Sequence, residues 1–160
     1  MIYCHGWNCD DSGCYDPSAD ATKVMGSMAY VELSPDLKSI STDATHYEWF
    51  DAKYGNMFNF VTDGPFVYSN NGQKYLLWST TDQDTGSYKT MCTPFNTLGE
   101  NIDIGQKTAI LYGEDGGHAM VFTDFADDDC LVLHTLNTGD TRANFFSITN
   151  VENELQIAPK

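Results

Sequence analysis

Along this chain apolar residues come in short runs rather than in the i, i+3, i+4 spacing that gives a helix one oily face. The runs are rich in aromatic and β-branched side chains. Gly, Asn, Asp and Pro separate them, as expected of strands joined by turns. Nine strands are predicted: Ile2–Cys4, Ser27–Leu33, Pro65–Tyr68, Lys74–Ser79, Ser87–Cys92, Thr108–Tyr112, His118–Phe122, Cys130–Thr135 and Ala143–Thr149. Asn70-Asn71-Gly72, between two of them, predicts a tight hairpin, because Asn and Gly adopt a positive φ at little cost. Asp127-Asp128-Asp129 takes the equivalent place after Phe122 and reads as a solvated turn.

The pattern repeats. Asp63-Gly64-Pro65-Phe66-Val67-Tyr68, a turn, and Lys74-Tyr75-Leu76-Leu77-Trp78-Ser79 form one unit. Gly117-His118-Ala119-Met120-Val121-Phe122, a turn, and Leu131-Val132-Leu133-His134-Thr135 form another, with Gly64 and Gly117 53 residues apart. A second register sets Pro35 against Pro94, 59 residues on, and Ile2-Tyr3-Cys4-His5-Gly6-Trp7 then reads as the second strand of an earlier unit. Recurrence at about 40–50 residues with four strands per unit is the mark of propeller blades. The expected fold class is therefore all-β, a partial β-propeller of about three blades, with residues 1–160 forming a single incomplete domain. An ordinary β-sandwich is the alternative; it does not explain why a Gly-led strand start recurs in step with a Ser/Thr-Pro turn. An unclosed arc leaves strand edges unpaired, so missing blades or self-association are expected to cover them. Met1 falls inside a predicted strand, which implies upstream sequence.

Composition narrows the function. The 160 residues hold 8 Lys and Arg against 23 Asp and Glu, a net charge of −15. That argues against a nucleic-acid partner and against docking on an anionic membrane. With 41% hydrophobic residues the chain can bury a core, and 13% aromatic with only 19% charged residues suits a β-rich protein that faces carbohydrate. No basic and apolar leader pattern is visible at the start, so localisation is left open. Five cysteines, Cys4, Cys9, Cys14, Cys92 and Cys130, do not make a complete disulfide set. Cys92 and Cys130 lie in apolar runs and read as core. Cys4, Cys9 and Cys14, beside His5, leave open a zinc site, a local disulfide or neither.

The residues that carry chemistry stand at the starts of the inner strands. Thr62-Asp63-Gly64-Pro65 and Asp115-Gly116-Gly117-His118 each set a titratable side chain beside glycine, and neighbouring blades would turn Asp63 and His118 toward one pocket. Asp-Gly turns and hydrogen-bonded histidines are common without function, so the repeat is what lifts both. Asp82-Gln83-Asp84-Thr85-Gly86 opens like a calcium loop, but Thr93 stands where the EF-hand needs Glu, so it reads as a polar interstrand loop. No phosphate loop, dinucleotide fingerprint or Gly-x-Ser-x-Gly elbow occurs.

Four motifs in order resemble a known family. They are Val61-Thr62-Asp63-Gly64-Pro65-Phe66-Val67-Tyr68, Tyr75-Leu76-Leu77-Trp78-Ser79, Asp115-Gly116-Gly117-His118-Ala119-Met120-Val121-Phe122, and Leu133-His134-Thr135-Leu136-Asn137-Thr138 with Arg142. Together they resemble the C-terminal part of glycoside hydrolase family 43. The resemblance implies a five-bladed propeller that hydrolyses plant-type arabinosides or xylosides with inversion, using an Asp base, an Asp that tunes the acid and a Glu acid. Carried onto this chain, it makes Asp63 the catalytic acid in place of that Glu, one methylene shorter. It associates His118 with a calcium ion in the central channel, and makes Arg142, the only Arg present, a substrate contact. His5, Trp7, Phe66 and Trp78 are the further candidates for binding an oligosaccharide or polysaccharide, though blade packing explains the aromatic ones equally well. The blades that carry the base would precede residue 1, and His5-Gly6-Trp7 stands where similar sequences read His-Glu-Trp. The chain on its own is therefore expected to be a poor catalyst, and a non-catalytic carbohydrate-binding remnant is the alternative.

Overall fold

The computed structural model describes residues 1–5, 9–10, 13–14, 26–51, 62–82, 84–137 and 139–160, with residues 5, 9–10, 13–14 and 51 described through their backbones. In chain order the strands are β1 Ile2–His5, β2 Cys9–Asp10, β3 Gly13–Cys14, β4 Ser27–Tyr30, β5 Tyr47–Asp51, β6 Asp63–Asn70, β7 Gln73–Thr81, β8 Tyr88–Phe95, β9 Ala109–Tyr112, β10 Gly116–Thr123, β11 Asp129–Thr135, β12 Arg142–Val151 and β13 Glu154–Pro159. A single helical turn, α1 Ile104–Lys107, is capped by Asp103, whose carboxylate accepts the Gln106 N–H at 3.2 Å.

The strands pair antiparallel into a first sheet β1-β4-β5, a middle sheet β6-β7-β8-β9 and a last sheet β10-β11-β12-β13, with β2-β3 as a separate hairpin. Each of the three larger sheets is a meander whose neighbours follow chain order. None closes on itself. The all-β partial propeller expected from the repeats is the observed architecture, with three blade-like sheets stacked face to face.

Alternation explains the stack. In β7 the run Tyr75-Leu76-Leu77-Trp78 is apolar throughout because both of its faces are covered. Tyr75 and Leu77, with Tyr68 and Cys92, meet Ala119, Leu131, Leu133, Phe146 and Ile148 of the last sheet. Leu76 and Trp78, with Met91 and Phe95, meet Met28 of the first sheet and Ile102 and Ile104 around α1. Each large side chain buried there stabilises the fold by about 1.5–3 kcal/mol.

All nine predicted strands are present. The hairpin at Asn70-Asn71-Gly72 is as expected, with Asn71 and Gly72 at φ 50° and 81°. At the triple-Asp turn the Asp124 carboxylate accepts the N–H groups of Ala126 and Asp128. Asp82 likewise accepts the N–H groups of Asp84 and Thr85, which makes that segment the polar loop expected. The Pro35–Pro94 register fails: Pro94 is within β8, whereas Pro35 lies in an exposed turn beyond β4.

The Gly-led register holds with a shift of one residue. β6 pairs Asp63 with Ser79 and Phe66 with Leu77, with a bulge between; β10 pairs Gly117 with His134 and Met120 with Val132, again with a bulge between. The equivalent positions are therefore Asp63 with Gly117, and Gly64 with His118. Both members of the second pair have positive φ, 51° and 53°. Histidine is among the few side chains that enter this region at modest cost.

Candidate active site

The two bulges build the site. By kinking the starts of β6 and β10 they re-aim the side chains there, and Asp63 meets His118, with Oδ2 and Nε2 3.2 Å apart. Gly64 is what lets them approach: a Cβ at that position would lie 2.9 Å from His118 Cδ2. Ser79 Oγ accepts the His118 backbone N–H at 3.0 Å and fixes the bulge from the middle sheet.

Tyr88, at the start of β8, completes the arrangement. Its hydroxyl donates to Asp63 Oδ2 at 2.8 Å, while Asp63 Oδ1 accepts the Gly64 N–H at 2.9 Å. The Tyr88 ring stacks on His134 from β11, with centroids 5.6 Å apart and planes 21° apart. His134 Nε2 lies 3.3 Å from His118 Nδ1. Asp115 accepts the Tyr88 backbone N–H at 3.0 Å. Gly117 makes room for the phenol, since a Cβ there would lie 2.1 Å from Tyr88 Cε1. The Cys4 thiol approaches Asp63 Oδ1 from the first sheet at 3.9 Å. Three successive sheets thus converge on one carboxylate.

The electrostatics follow from the packing. Burial and then the Asp63 charge push the Tyr88 phenol far above its ordinary value, so it stays a hydrogen-bond donor. Burial, reinforced by Asp63, raises the Cys4 thiol. Burial and then His118 lower His134, which favours the neutral ring. An ionised Asp63 would accept a hydrogen from His118 Nε2, whereas a protonated Asp63 could donate to that nitrogen. The Asp63 side chain is 21% exposed and that of His118 51%, so the cluster is held from behind and open in front.

No family model and no curated protein matches the sequence. Solved structures do match the fold. An endo-arabinase from Bacteroides thetaiotaomicron VPI-5482 aligns with a TM-score of 0.72 and 22% identity, over 96% of this chain and 52% of its own. An α-L-arabinanase from Cellvibrio cellulosa, solved with arabinohexaose, aligns with a TM-score of 0.64 and 15% identity, over 94% of this chain and 55% of its own. A thermostable family-43 glycoside hydrolase gives 0.63 and 14%, over 84% and 48%.

The chain has the fold of part of a β-propeller glycosidase. It spans about half the length of these solved structures.

Within this propeller-glycosidase fold the sequence-predicted residues fare differently. Asp63 and His118 come together as expected. Arg142 pairs in register with Thr135, next to His134, and so lies at the same end of the last sheet as the cluster; its exposed guanidinium is 3.8 Å from Asp140. Phe66 is half-buried against the core between the middle and last sheets. Trp78 is corrected: it is wholly buried, and its indole N–H donates to Thr93 Oγ1 at 2.8 Å. Strand alternation turns its ring into the core between the first and middle sheets, leaving no face for a sugar. His5 is placed by its backbone opposite Ser27, and Trp7 lies outside the described residues. Cys9 and Cys14 face each other across the β2–β3 hairpin by backbone register, and the Cys4 thiol is free.

Sequence reasoning passed over Tyr88 and His134 as site residues. Counting across the β10–β11 turn would have set His134 opposite Gly117; nothing in the sequence singles out Tyr88. Calcium takes six to eight oxygen ligands. Around His118 the described residues bring the Asp63 carboxylate, one phenol and a second imidazole, with Asp115 turned to the Tyr88 N–H, and among the described residues no group of three or more His, Cys, Asp and Glu is arranged for a metal. These residues do not by themselves fit calcium.

Proposed function

We propose that this chain is part of a glycoside hydrolase that cleaves arabinosides or xylosides of the plant type with inversion, and that Asp63 is its proton donor. In that reaction the glycosidic C–O bond breaks as the acid protonates the leaving oxygen. Water attacks the anomeric carbon from the opposite face and gives its own proton to a carboxylate base. Asp63 is suited to the first role by its place: Tyr88 and His118 hold it at the open end of converging inner strands. His118 and Arg142 lie at that same end of the last sheet, and we assign them to the side from which a sugar would arrive. The described cluster holds two carboxylates, Asp63 and Asp115, and Asp115 is engaged by the Tyr88 backbone N–H, so no base is assigned among these residues. The observation that carries this reading is the Asp63–His118 contact, formed by equivalent bulges of neighbouring blades in a fold shared with an endo-arabinase, an α-L-arabinanase and a family-43 glycoside hydrolase.

The test is hydrolysis of aryl α-L-arabinofuranoside and aryl β-D-xyloside by the propeller protein with and without Asp63→Asn. Loss of turnover by several powers of ten supports the acid role; turnover indifferent to the substitution removes it. With Asp115 committed to the Tyr88 N–H, Asp63 lacks a second carboxylate free to activate water in the described cluster, which favours a second reading, a carbohydrate-binding protein without hydrolysis. Calorimetric binding of arabino- or xylo-oligosaccharides with no product release would select it.

A further inference from the structure

His134 has one ring nitrogen at the site and one in the interior. Its Nε2 lies 3.3 Å from His118 Nδ1, while its Nδ1 is buried and has no hydrogen-bond partner. Two neighbours fix the ring: it stacks on Tyr88 and tilts against His118, with centroids 5.6 Å and 5.4 Å away. Burial and then His118 lower its pKa against the opposing pull of Asp115 and Asp63, which favours the uncharged ring with a single ring hydrogen.

That hydrogen has two places to sit. On Nε2 it is donated to His118 Nδ1. A neutral His118 then carries its own hydrogen on Nε2, where Asp63 Oδ2 lies 3.2 Å away. Only a lone pair is left at the buried Nδ1 of His134. With the hydrogen on Nδ1 instead, every direction reverses. A buried N–H is stranded, and native proteins strand a donor more rarely than an acceptor. The bare Nε2 of His118 then faces Asp63, lone pair against lone pair unless the carboxyl holds a proton. The Tyr88 oxygen, 3.3 Å from His118 Nδ1, would accept from it in that arrangement but relieves neither fault. A proton on Asp63 repairs one fault and leaves the stranded N–H. Both ends of the chain of contacts therefore favour the first arrangement.

We propose that His134 is a positioning residue that fixes the direction of a relay, from His134 Nε2–H to His118 Nδ1 and from His118 Nε2–H to Asp63, so that His118 is held as a donor. The inference deepens the glycosidase reading and rests on it for its use. A His118 whose Nε2 already bears a hydrogen does not take the proton that Asp63 delivers to the leaving oxygen. The same N–H then faces the carboxylate that the transfer leaves behind. Tyr88 adds a second donor to that oxygen at 2.8 Å, and Ser79 holds the His118 backbone in place. The relay itself gains and loses no proton; its direction is set before a sugar arrives.

Two-bond proton–nitrogen NMR correlations of the 160-residue chain, labelled with heavy-nitrogen histidine, read where each ring hydrogen sits at neutral pH, with the signals assigned by single substitutions. The expected result is that His118 and His134 are both neutral with the hydrogen on Nε2, each at the nitrogen shifts of one tautomer rather than at an average of two. His134→Phe keeps a ring beside Tyr88 but removes the donor, so the His118 shifts should move to the averaged values. His134→Gln supplies an amide N–H within reach of the same nitrogen and should restore the single tautomer. Near-ultraviolet circular dichroism checks the fold of both variants, and the parent spectrum decides even where a variant does not fold. A hydrogen on Nδ1 of either ring in the parent, or His118 shifts unmoved by His134→Phe, would overturn the proposal. The role of Asp63 as proton donor fails separately, through Asp63→Asn, because the tautomers are read with no sugar present.

Discussion

Gly117→Ala should be far more damaging than a single methyl group suggests. The new Cβ would lie 2.1 Å and 2.6 Å from Tyr88 Cε1 and Cδ1, and 2.7 Å from Ser79 Oγ. None of these is the far end of a flexible side chain: the phenol is locked by Asp63 and the Ser79 hydroxyl by His118 N–H. The ring must swing away. Overpacking of this kind costs about 1–3 kcal/mol, and the lost hydrogen bond to a carboxylate a further ~1.5–3 kcal/mol. The sum is about 2.5–6 kcal/mol, which for a chain of this length corresponds to a fall in melting temperature of roughly 5–20 °C. Urea denaturation followed by tryptophan fluorescence and far-ultraviolet circular dichroism measures it. Gly72→Ala is the control: its φ is 81° with nothing within 4 Å of the added Cβ, so it should cost only the backbone term of about 1 kcal/mol. Adding Tyr88→Ala removes the obstructing ring, so the double variant should be destabilised by clearly less than the sum of the singles. If Gly117→Ala lies within about 0.5 kcal/mol of the parent, or if the two changes simply add, the packing argument for the site is wrong.

Other expectations follow from single residues. Trp78→Ala empties the core between the first and middle sheets and removes one of the two partners of the Thr93 hydroxyl, leaving it Thr108; a loss of about 3–5 kcal/mol in the same assay is expected, and a loss under about 1 kcal/mol would mean that the indole is not the core residue described. Asp82 is held down to about 2, first by the Lys89 ammonium and then by the Thr85 N–H. A carboxyl lower in the folded than in the unfolded chain contributes fully above its ordinary value of 3.8 and loses that contribution as pH falls toward 2. Asp82→Asn should therefore be less stable than the parent at neutral pH, with the gap closing across that acid window; a gap constant with pH would refute the pairing.

Much of the fold was legible because both signals it rests on are local. Alternation marked the strands, and Asn-Gly chemistry marked the hairpin that joins β6 to β7. Alternation also explains the chief miss. β5, Tyr47–Asp51, has a bulge opposite Met28 and Ala29, and the adjacent residues Trp49 and Phe50 both pack on the same core, so no period of two was there to read. β13 escaped because it is an edge strand with only Leu155 and Ile157 half-buried. The same kind of irregularity governs the site. Sequence repetition aligned Gly64 with Gly117 because glycine matched glycine; the bulges align Gly64 with His118, since the position that repeats is a backbone conformation and not a residue type. The shared surface between Asp63 and His118 was foreseeable from the repeat, yet the contact itself depends on one position with positive φ being filled by glycine in one blade and histidine in the next. That asymmetry is what places an imidazole over the vacant Cβ of its neighbour. Two identical blades with glycine at both positions would leave Asp63 without its His118 partner, and two with histidine would clash. The departure from repetition, more than the repetition, is therefore what brings the chemistry together.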